Sequence, residues 1–278
     1  MLKQILSRGL LLIYQMPKTG SQTVEATVHT CDLPHLILRF HFLSPEISGT
    51  MLKALRSGQG TPEWQAEARK QLQAISSITR TIRIRKYLSL FHLRLPKIHV
   101  ITGVREPIGL GLSSVFENHS YLFPNLESAT VEGCRTELLR PKALTYIQDW
   151  FDLEIKRSVG IDVFDSPFPH TKGYAICENA FARLLVFRSD FLPKLPAMLK
   201  EFLGCNPRAV INRNLGTAKD YAEAYATAKA RLRLPTDFVV SQYNRRLARH
   251  FYSVAERRRL LLRWAESSSE STAMALAA

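Results

Sequence analysis

The chain has 278 residues, of which 46% are hydrophobic and 22% charged, and its formal net charge is +14. This composition excludes a disordered or collagen-like chain and suits one globular domain with a sizeable core. No apolar run reaches the roughly 18 residues of a membrane helix, and the charge excess implies an anionic partner.

Four cysteines, Cys31, Cys134, Cys177 and Cys205, lie far apart with no Cys-x-x-Cys pair. That argues against a zinc site or a redox dithiol and suits thiols in a reducing compartment. Residues 1–13 carry the basic and apolar composition of a short leader, yet Arg8 splits the apolar run and no small-residue cleavage site follows. The segment therefore reads as the lead-in to a first strand, and the expected location is cytoplasmic.

Residues 10–15 form that strand, and it runs into Pro-Lys-Thr-Gly-Ser-Gln-Thr at 17–23 and a helix over 21–29. Such a loop cradles phosphate. Gly20 lets the backbone approach an anion, the free N–H groups at the helix start point at it, and Ser21 and Thr23 add hydroxyls. Lys18 supplies a mobile charge beside Thr19 and Gln22. The loop is not a Walker A motif, since the lysine precedes the glycine.

A second strand over 36–42 completes a β-α-β opening, with His41 at its end. After it come a polar helix near 62–75 and a basic stretch over 78–95, which contains Arg80, Arg83, Arg85, Lys86 and Arg94. Residues 98–104 then form a buried strand ending in Arg105-Glu106-Pro107, and the next helix, 108–118, carries Ser113. Alternating strands and helices indicate a parallel sheet covered on both faces.

Residues 141–155 read as an amphipathic helix, with Leu144, Ile147, Trp150, Phe151 and Ile155 at helical spacing. The proline- and aromatic-rich stretch 160–174 reads as a lid or acceptor-facing loop. A short strand, 184–188, and a helix, 190–202, follow. The C-terminal third is helical: a stripe containing Tyr221, Tyr225, Ala228 and Leu232, a helix over 236–250, and a last helix to Trp264 opened by the Ser253-x-x-Glu256 capping box. It holds a second basic group, Arg245, Arg246, Arg249, Arg257, Arg258, Arg259 and Arg263, which is either a solvated helix face or a binding surface. The expected architecture is α/β, one domain over 1–265 with a mostly parallel sheet, then a disordered tail over 266–278.

The two phosphate motifs resemble those of sulfotransferases that use 3′-phosphoadenosine 5′-phosphosulfate (PAPS). In that superfamily a strand precedes Pro-Lys-x-Gly-[Ser/Thr]-x-Thr at the 5′-phosphosulfate, and a later strand ends in Arg-[Asp/Glu]-Pro with a serine in the next helix. Those last two positions, Arg105 and Ser113 here, meet the 3′-phosphate. Over most of its length the chain is similar to a bacterial sulfotransferase-like family labelled capsular polysaccharide synthesis proteins. That likeness rests on Pro-Lys-Thr-Gly-Ser at 17–21, His-Phe-Leu-Ser at 41–44, Val-Arg-Glu-Pro-Ile at 104–108, Gly-Ile-Asp-Val-Phe at 160–164 and Arg-His-Phe-Tyr-Ser at 249–253.

The resemblance implies sulfuryl transfer from PAPS, without a metal, to a hydroxyl of a polysaccharide or other glycan. Lys18 would stabilise the leaving phosphate and His41 would act as base, with His35, Glu46 and His170 in reserve. Two departures stand out: Gln22 replaces a common hydroxyl residue, and no Arg-Lys-Gly loop completes the 3′-phosphate contact, for which Arg245 and Arg246 are substitutes. The alternatives are a P-loop kinase or nucleotide-binding protein and a non-catalytic basic protein for anionic polymers. Nucleic acid is not the expected partner, and the oligomeric state is left open.

Overall fold

Period-two alternation in β1 (Leu10–Tyr14) sets the layers of the fold. Leu10, Leu12 and Tyr14 enter one hydrophobic cluster, while Leu11 and Ile13 enter another on the opposite face of the sheet. All five side chains are buried, as a central strand of a doubly covered sheet requires. The computed structural model describes residues 9–58, 62–90, 96–117, 122, 129–213 and 220–266. The expected tail therefore lies, from residue 267 on, outside the described residues.

The five-stranded sheet has the order β2-β1-β3-β5-β4. Strands β1, β2 (Leu36–Phe40), β3 (Ile98–Val104) and β5 (Ala182–Arg188) are parallel, and β4 (Tyr174–Glu178) pairs antiparallel at the edge. The expected α/β fold with a mostly parallel sheet is what the chain adopts. From β1 the chain crosses through α1 (Ser21–Val28) to β2 on one side. It returns by α2 (Pro45–Arg56) and α3 (Pro62–Leu90) to β3 on the other. The C-terminal ends of β1 and β3 thus flank a topological switch point, the position where open α/β sheets form a ligand crevice.

One face of the sheet is covered by α1, through Val24 and Val28, and by α7 (Leu195–Leu203), through Leu195, Met198, Leu199 and Phe202. The other carries α4 (Pro107–Glu117), α6 (Thr145–Trp150) and the C-terminal helices α8 (Ala222–Arg231), α9 (Thr236–Tyr243), α10 (Arg246–Phe251) and α11 (Val254–Trp264). A helix absent from the sequence reading, α5 (Val131–Leu139), is capped by the Thr130 hydroxyl, which accepts from the Gly133 N–H.

Several boundaries differ from expectation, each for a local reason. The polar helix and the basic stretch form one helix, α3, because neither glycine nor proline interrupts residues 63–90. Its inner stripe is Ala68, Ile75, Ile78 and Ile82; Arg94 lies outside the described residues. The helix expected over 236–250 is broken between α9 and α10, where the buried Arg257 donates to the Tyr243 carbonyl at 3.3 Å and the Asn244 side chain at 3.5 Å. A cation thus terminates the α9 carbonyl row. The helix expected over 141–155 begins at Thr145 and passes into a π-helical turn, Phe151–Lys156, before a last turn, Arg157–Val159.

That π turn places Glu154 in the interior with no exposed surface. Its carboxylate accepts from the Tyr14 hydroxyl, the Leu43 N–H at 2.7 Å, the Ser44 N–H at 3.0 Å and the Tyr146 hydroxyl at 3.1 Å. Four donors surround one buried charge, which ties β1 and the turn after β2 to α6. A second tie runs along α1: the hydroxyls of Thr23, Thr27 and Thr30 accept the backbone N–H groups of Arg213, Ile211 and Arg208 at 3.1, 3.2 and 3.1 Å. Thr23 and Thr27, at i and i+4, share one face of the helix, and Thr30 continues the row in the turn that follows it.

Candidate functional site

Lys18 and Gly20 both have left-handed backbone, with φ of 65° and 94°. A side chain at Gly20 would combine that strain with a Cβ 2.5 Å from Leu192 Cδ1, so glycine is required there. Between the two lies Thr19, fully buried, whose hydroxyl donates to the Met16 carbonyl at 2.6 Å. The first helical bond of α1 is Val24 N–H to the Gly20 carbonyl, and no side chain caps the helix start. The N–H groups of residues 21–23 precede that bond and face the C-terminal edge of the sheet, where a helix terminus favours an anion.

A cavity of about 1210 Å³ opens there. Lys18, Thr19, Gly20, Ser21, Gln22, Thr23, His41, Arg105 and Ser113 all line it, so the fold gathers every predicted site residue into one place. Arg105 donates to the Lys18 carbonyl at 3.4 Å and to the Tyr225 hydroxyl at 3.1 Å. The Ser113 hydroxyl acts on the same tyrosine. Burial alone would raise the Tyr225 pKa, but the Arg105 guanidinium and the Ser113 hydroxyl outweigh it and hold the phenol below its ordinary value. Tyr225 thus joins the two residues of the Arg-Glu-Pro motif, a contact that only the tertiary fold creates.

Lys18 Nζ lies 2.7 Å from Glu117 Oε2, which also accepts from the Tyr221 hydroxyl at 2.7 Å. The Thr23 hydroxyl, expected to face the anion, is occupied by the Arg213 backbone. That leaves Ser21, 7% exposed, as the loop hydroxyl lining the cavity without such a tie among the described residues.

His41 sits at the end of β2, on the edge shared with Lys18, as parallel pairing requires. Its Nδ1 is 2.8 Å from the Gln15 carbonyl oxygen. A carbonyl only accepts, so Nδ1 carries the hydrogen and Nε2 of the neutral ring keeps its lone pair. Burial lowers the His41 pKa; the Gln15 bond partly offsets this, and Arg39 and Lys18 lower it further. The His41 carbonyl accepts from Trp150 Nε1 at 3.3 Å, which fixes the backbone beneath the ring.

The reserves lie elsewhere. His35 precedes β2 and stacks edge-on against His99, away from the cavity. Glu46 pairs with Arg157 at 2.5 Å on the surface, and His170 meets the His250 carbonyl at 3.0 Å. The loop over 160–174 is packed by Phe168 and contributes no residue to this cavity; its Phe164 lines a separate cleft. Arg245 and Arg246 do not line the cavity either. Arg246 stands 4.0 Å over the Phe164 ring and pairs with Asp152 and Asp162, both at 3.3 Å. The two arginines expected to complete the phosphate contact thus stand outside the cavity.

A cluster missed in the sequence stands at the end of β5. Arg188, 4% exposed, donates to Asp190 at 2.6 and 3.1 Å and to Glu256 at 2.7 Å, with its guanidinium 4.4 Å over the Tyr252 ring. Glu256 also accepts from the Ser253 N–H, which completes the predicted capping box of α11. Burial pushes the Tyr252 hydroxyl well above its ordinary pKa, helped by Glu106 and Asp190. The available signal was position: Arg188 ends a parallel strand on the same sheet edge as Lys18 and Arg105.

The cavity carries seven cationic side chains, Lys18, Arg105, Arg188, Arg213, Lys229, Arg259 and Arg263, against four carboxylates, Glu106, Glu117, Asp190 and Glu256. Fold and site together define an α/β protein with a cation-rich crevice at its switch point. Among the described residues no group of three or more His, Cys, Asp and Glu is arranged to hold a metal, and no helix is long and apolar enough to cross a membrane.

Residues 133–253 match the family described as "Putative capsular polysaccharide synthesis protein". The resemblance to that family therefore holds over the segment containing Arg188, Tyr225 and Tyr252. Lys18, His41 and Arg105 lie before it. No curated protein and no solved structure matches the chain.

Proposed function

We propose that the protein is a PAPS-dependent sulfotransferase acting on a hydroxyl of a polysaccharide or other glycan. The observation that carries this reading is the convergence, in one cavity, of the Lys18 helix-start cradle, the Arg105–Ser113 pair and a histidine with a free Nε2. The residues present fit a ligand with phosphate groups at both ends. A strained glycine turn leaves N–H groups free, and Arg105 meets no carboxylate among the described residues. The family match adds the glycan context.

When bound, PAPS supplies the sulfuryl group and departs as adenosine 3′,5′-bisphosphate. Lys18 and the backbone of residues 19–23 would hold the 5′-phosphate end and stabilise the charge that develops there. Arg105, Ser113 and Tyr225 would hold the 3′-phosphate. His41 Nε2 would take the acceptor hydroxyl proton, its ring oriented by the Nδ1–H bond to Gln15.

The kinase alternative needs a carboxylate free to hold magnesium at a strand end. Glu106, after β3, accepts from the Ile108 and Gly109 N–H groups and from the Tyr243 hydroxyl. Asp190, after β5, is engaged by Arg188. Calorimetry with adenosine 3′,5′-bisphosphate, without metal, beside ATP with magnesium separates the two. Tight bisphosphate binding supports sulfuryl transfer, and binding of ATP alone overturns it.

A further inference from the structure

The second arginine group remains to be explained once the cavity has its phosphate ligands. Helix α11 turns two stripes outward from a buried one formed by Arg257, Leu261 and Trp264. Its cavity stripe contains Glu256, Arg259, Leu260 and Arg263, at helical spacing. Arg258 is exposed on the adjacent turn, and Arg245 and Arg249 are exposed at and along α10. Among the described residues, none of Arg245, Arg249, Arg258, Arg259 and Arg263 pairs with a carboxylate.

Arg249 also lines a separate cleft of about 370 Å³ with Asn244, Arg246, His250 and Phe164. Two members of the arginine group thus lie inside the main cavity, while others continue outside it towards a second cleft. A small nucleotide occupies one cavity and cannot neutralise charges that extend beyond it. An extended anion can. Its charges must recur along its length, and its contacts must be polar, because Phe164, the ring at the second cleft, is half-buried and its face is taken by the Arg246 guanidinium at 4.0 Å. That last feature disfavours single-stranded nucleic acid.

We infer that α10 and α11 form a docking track for an acidic polysaccharide, one whose repeats carry carboxylate or ester-linked anionic groups, and that this chain threads past the cavity as the acceptor. The inference rests on the proposed sulfotransferase reading for the acceptor role, but the track itself is testable without it. Arg259 and Arg263 would guide the polymer at the cavity wall; Arg249 and Arg258 would hold it outside.

The test uses the full chain with fluorescently tagged polyuronate oligosaccharides, neutral dextran of equal length and single-stranded RNA of equal charge, titrated over a salt series. The expected result is polyuronate binding that weakens steeply with salt, with dextran bound far more weakly. The Arg249→Gln/Arg258→Gln double variant should weaken it on the order of tenfold with a shallower salt dependence, and the Lys/Lys variant should restore it. Bisphosphate binding should be unchanged in both, which also reports that the fold is intact.

Dextran bound as well as polyuronate, or a double variant that binds like wild type, overturns the track. RNA bound more tightly than polyuronate reassigns it to nucleic acid. If polyuronate behaves as expected while wild-type protein fails to bind bisphosphate, the track stands and the sulfotransferase reading falls.

Discussion

His41 Nδ1 and the Gln15 carbonyl oxygen, 2.8 Å apart, couple the end of β2 to the end of β1 and select the imidazole tautomer. The bond leaves Nε2 as the acceptor of a proton inside the cavity that also contains Lys18. Replacing His41 with Ala should lower turnover by about 10²- to 10⁴-fold while bisphosphate still binds. The pH profile follows from the lowered pKa. A base must be neutral, and a ring whose pKa is depressed stays neutral to lower pH, so the acidic limb of kcat/KM should fall below the ordinary histidine value of 6.5. An acidic limb at or above that value, or normal turnover in the alanine variant, removes His41 from the role.

Under the proposed function, Lys18→Ala and Arg105→Ala should each weaken bisphosphate binding on the order of 100-fold, because both would contribute charge-assisted bonds to phosphate. Tyr225→Phe removes only the hydroxyl that joins Arg105 and Ser113, and a loss of about fivefold is expected. Calorimetry reads all three. Wild-type affinity in either cation variant would refute the assignment of the phosphate sites.

Gly20→Ala tests the loop independently of charge. Left-handed backbone costs a non-glycine residue about 1–2 kcal/mol, and the added methyl meets Leu192. Bisphosphate affinity should fall, and Leu192→Ala in the same chain should restore only part of it, since the φ strain persists. Full recovery in the double variant would locate the whole effect in the clash.

The folds of β1, β3 and the intervening loop were readable because local chemistry and tertiary role coincide there. Continuous apolar runs mark doubly covered strands, and glycine marks the tight approach to an anion. Strand β4 was missed, since Tyr174–Glu178 is a short edge strand whose hairpin depends on Asn179 Oδ1 accepting from the N–H groups of Phe181 and Ala182. Helix α2, with no fully buried side chain, went unread although Ile47, Met51, Ala54 and Leu55 recur at helical spacing after Pro45. The cysteine spacing was likewise silent about space: Cys31 and Cys205 meet across the fold, and burial with that contact pushes the Cys31 thiol up to about 12. Within the site, the motif residues were legible and their partners were not. Tyr225, Glu117 and Arg188 reach the cavity from elements distant in sequence, where no local pattern reports them.

Glu154→Gln should destabilise the protein by about 2–4 kcal/mol, because the amide's NH₂ would confront donors where the carboxylate now accepts four hydrogen bonds. Urea denaturation measures the loss as a lower midpoint. A change below 0.5 kcal/mol, the range of ordinary surface substitutions at about that size, would contradict the buried network.

Glu256 supplies an acid-sensitive element. Burial raises its pKa, but the Ser253 N–H and the Arg188 guanidinium outweigh this and leave it below the ordinary carboxylate value of 4.5. The stabilisation it provides is complete above that value and is lost as pH falls through the depressed pKa. Stability measured across this acid window should decline in the wild type, and Glu256→Gln should flatten its share of the slope. An unchanged slope would place the titration elsewhere.

The row of threonine hydroxyls on α1 and the turn after it has an architectural consequence. It fastens the helix that follows the Lys18–Gly20 turn to residues 208–213, which lie within the family-matching segment 133–253. The loop and that segment are accordingly interdependent parts of one cleft. Cutting the chain between them would leave the N-terminal part with a loop whose orientation nothing enforces, and the C-terminal part with Tyr225 and Arg188 facing no cradle.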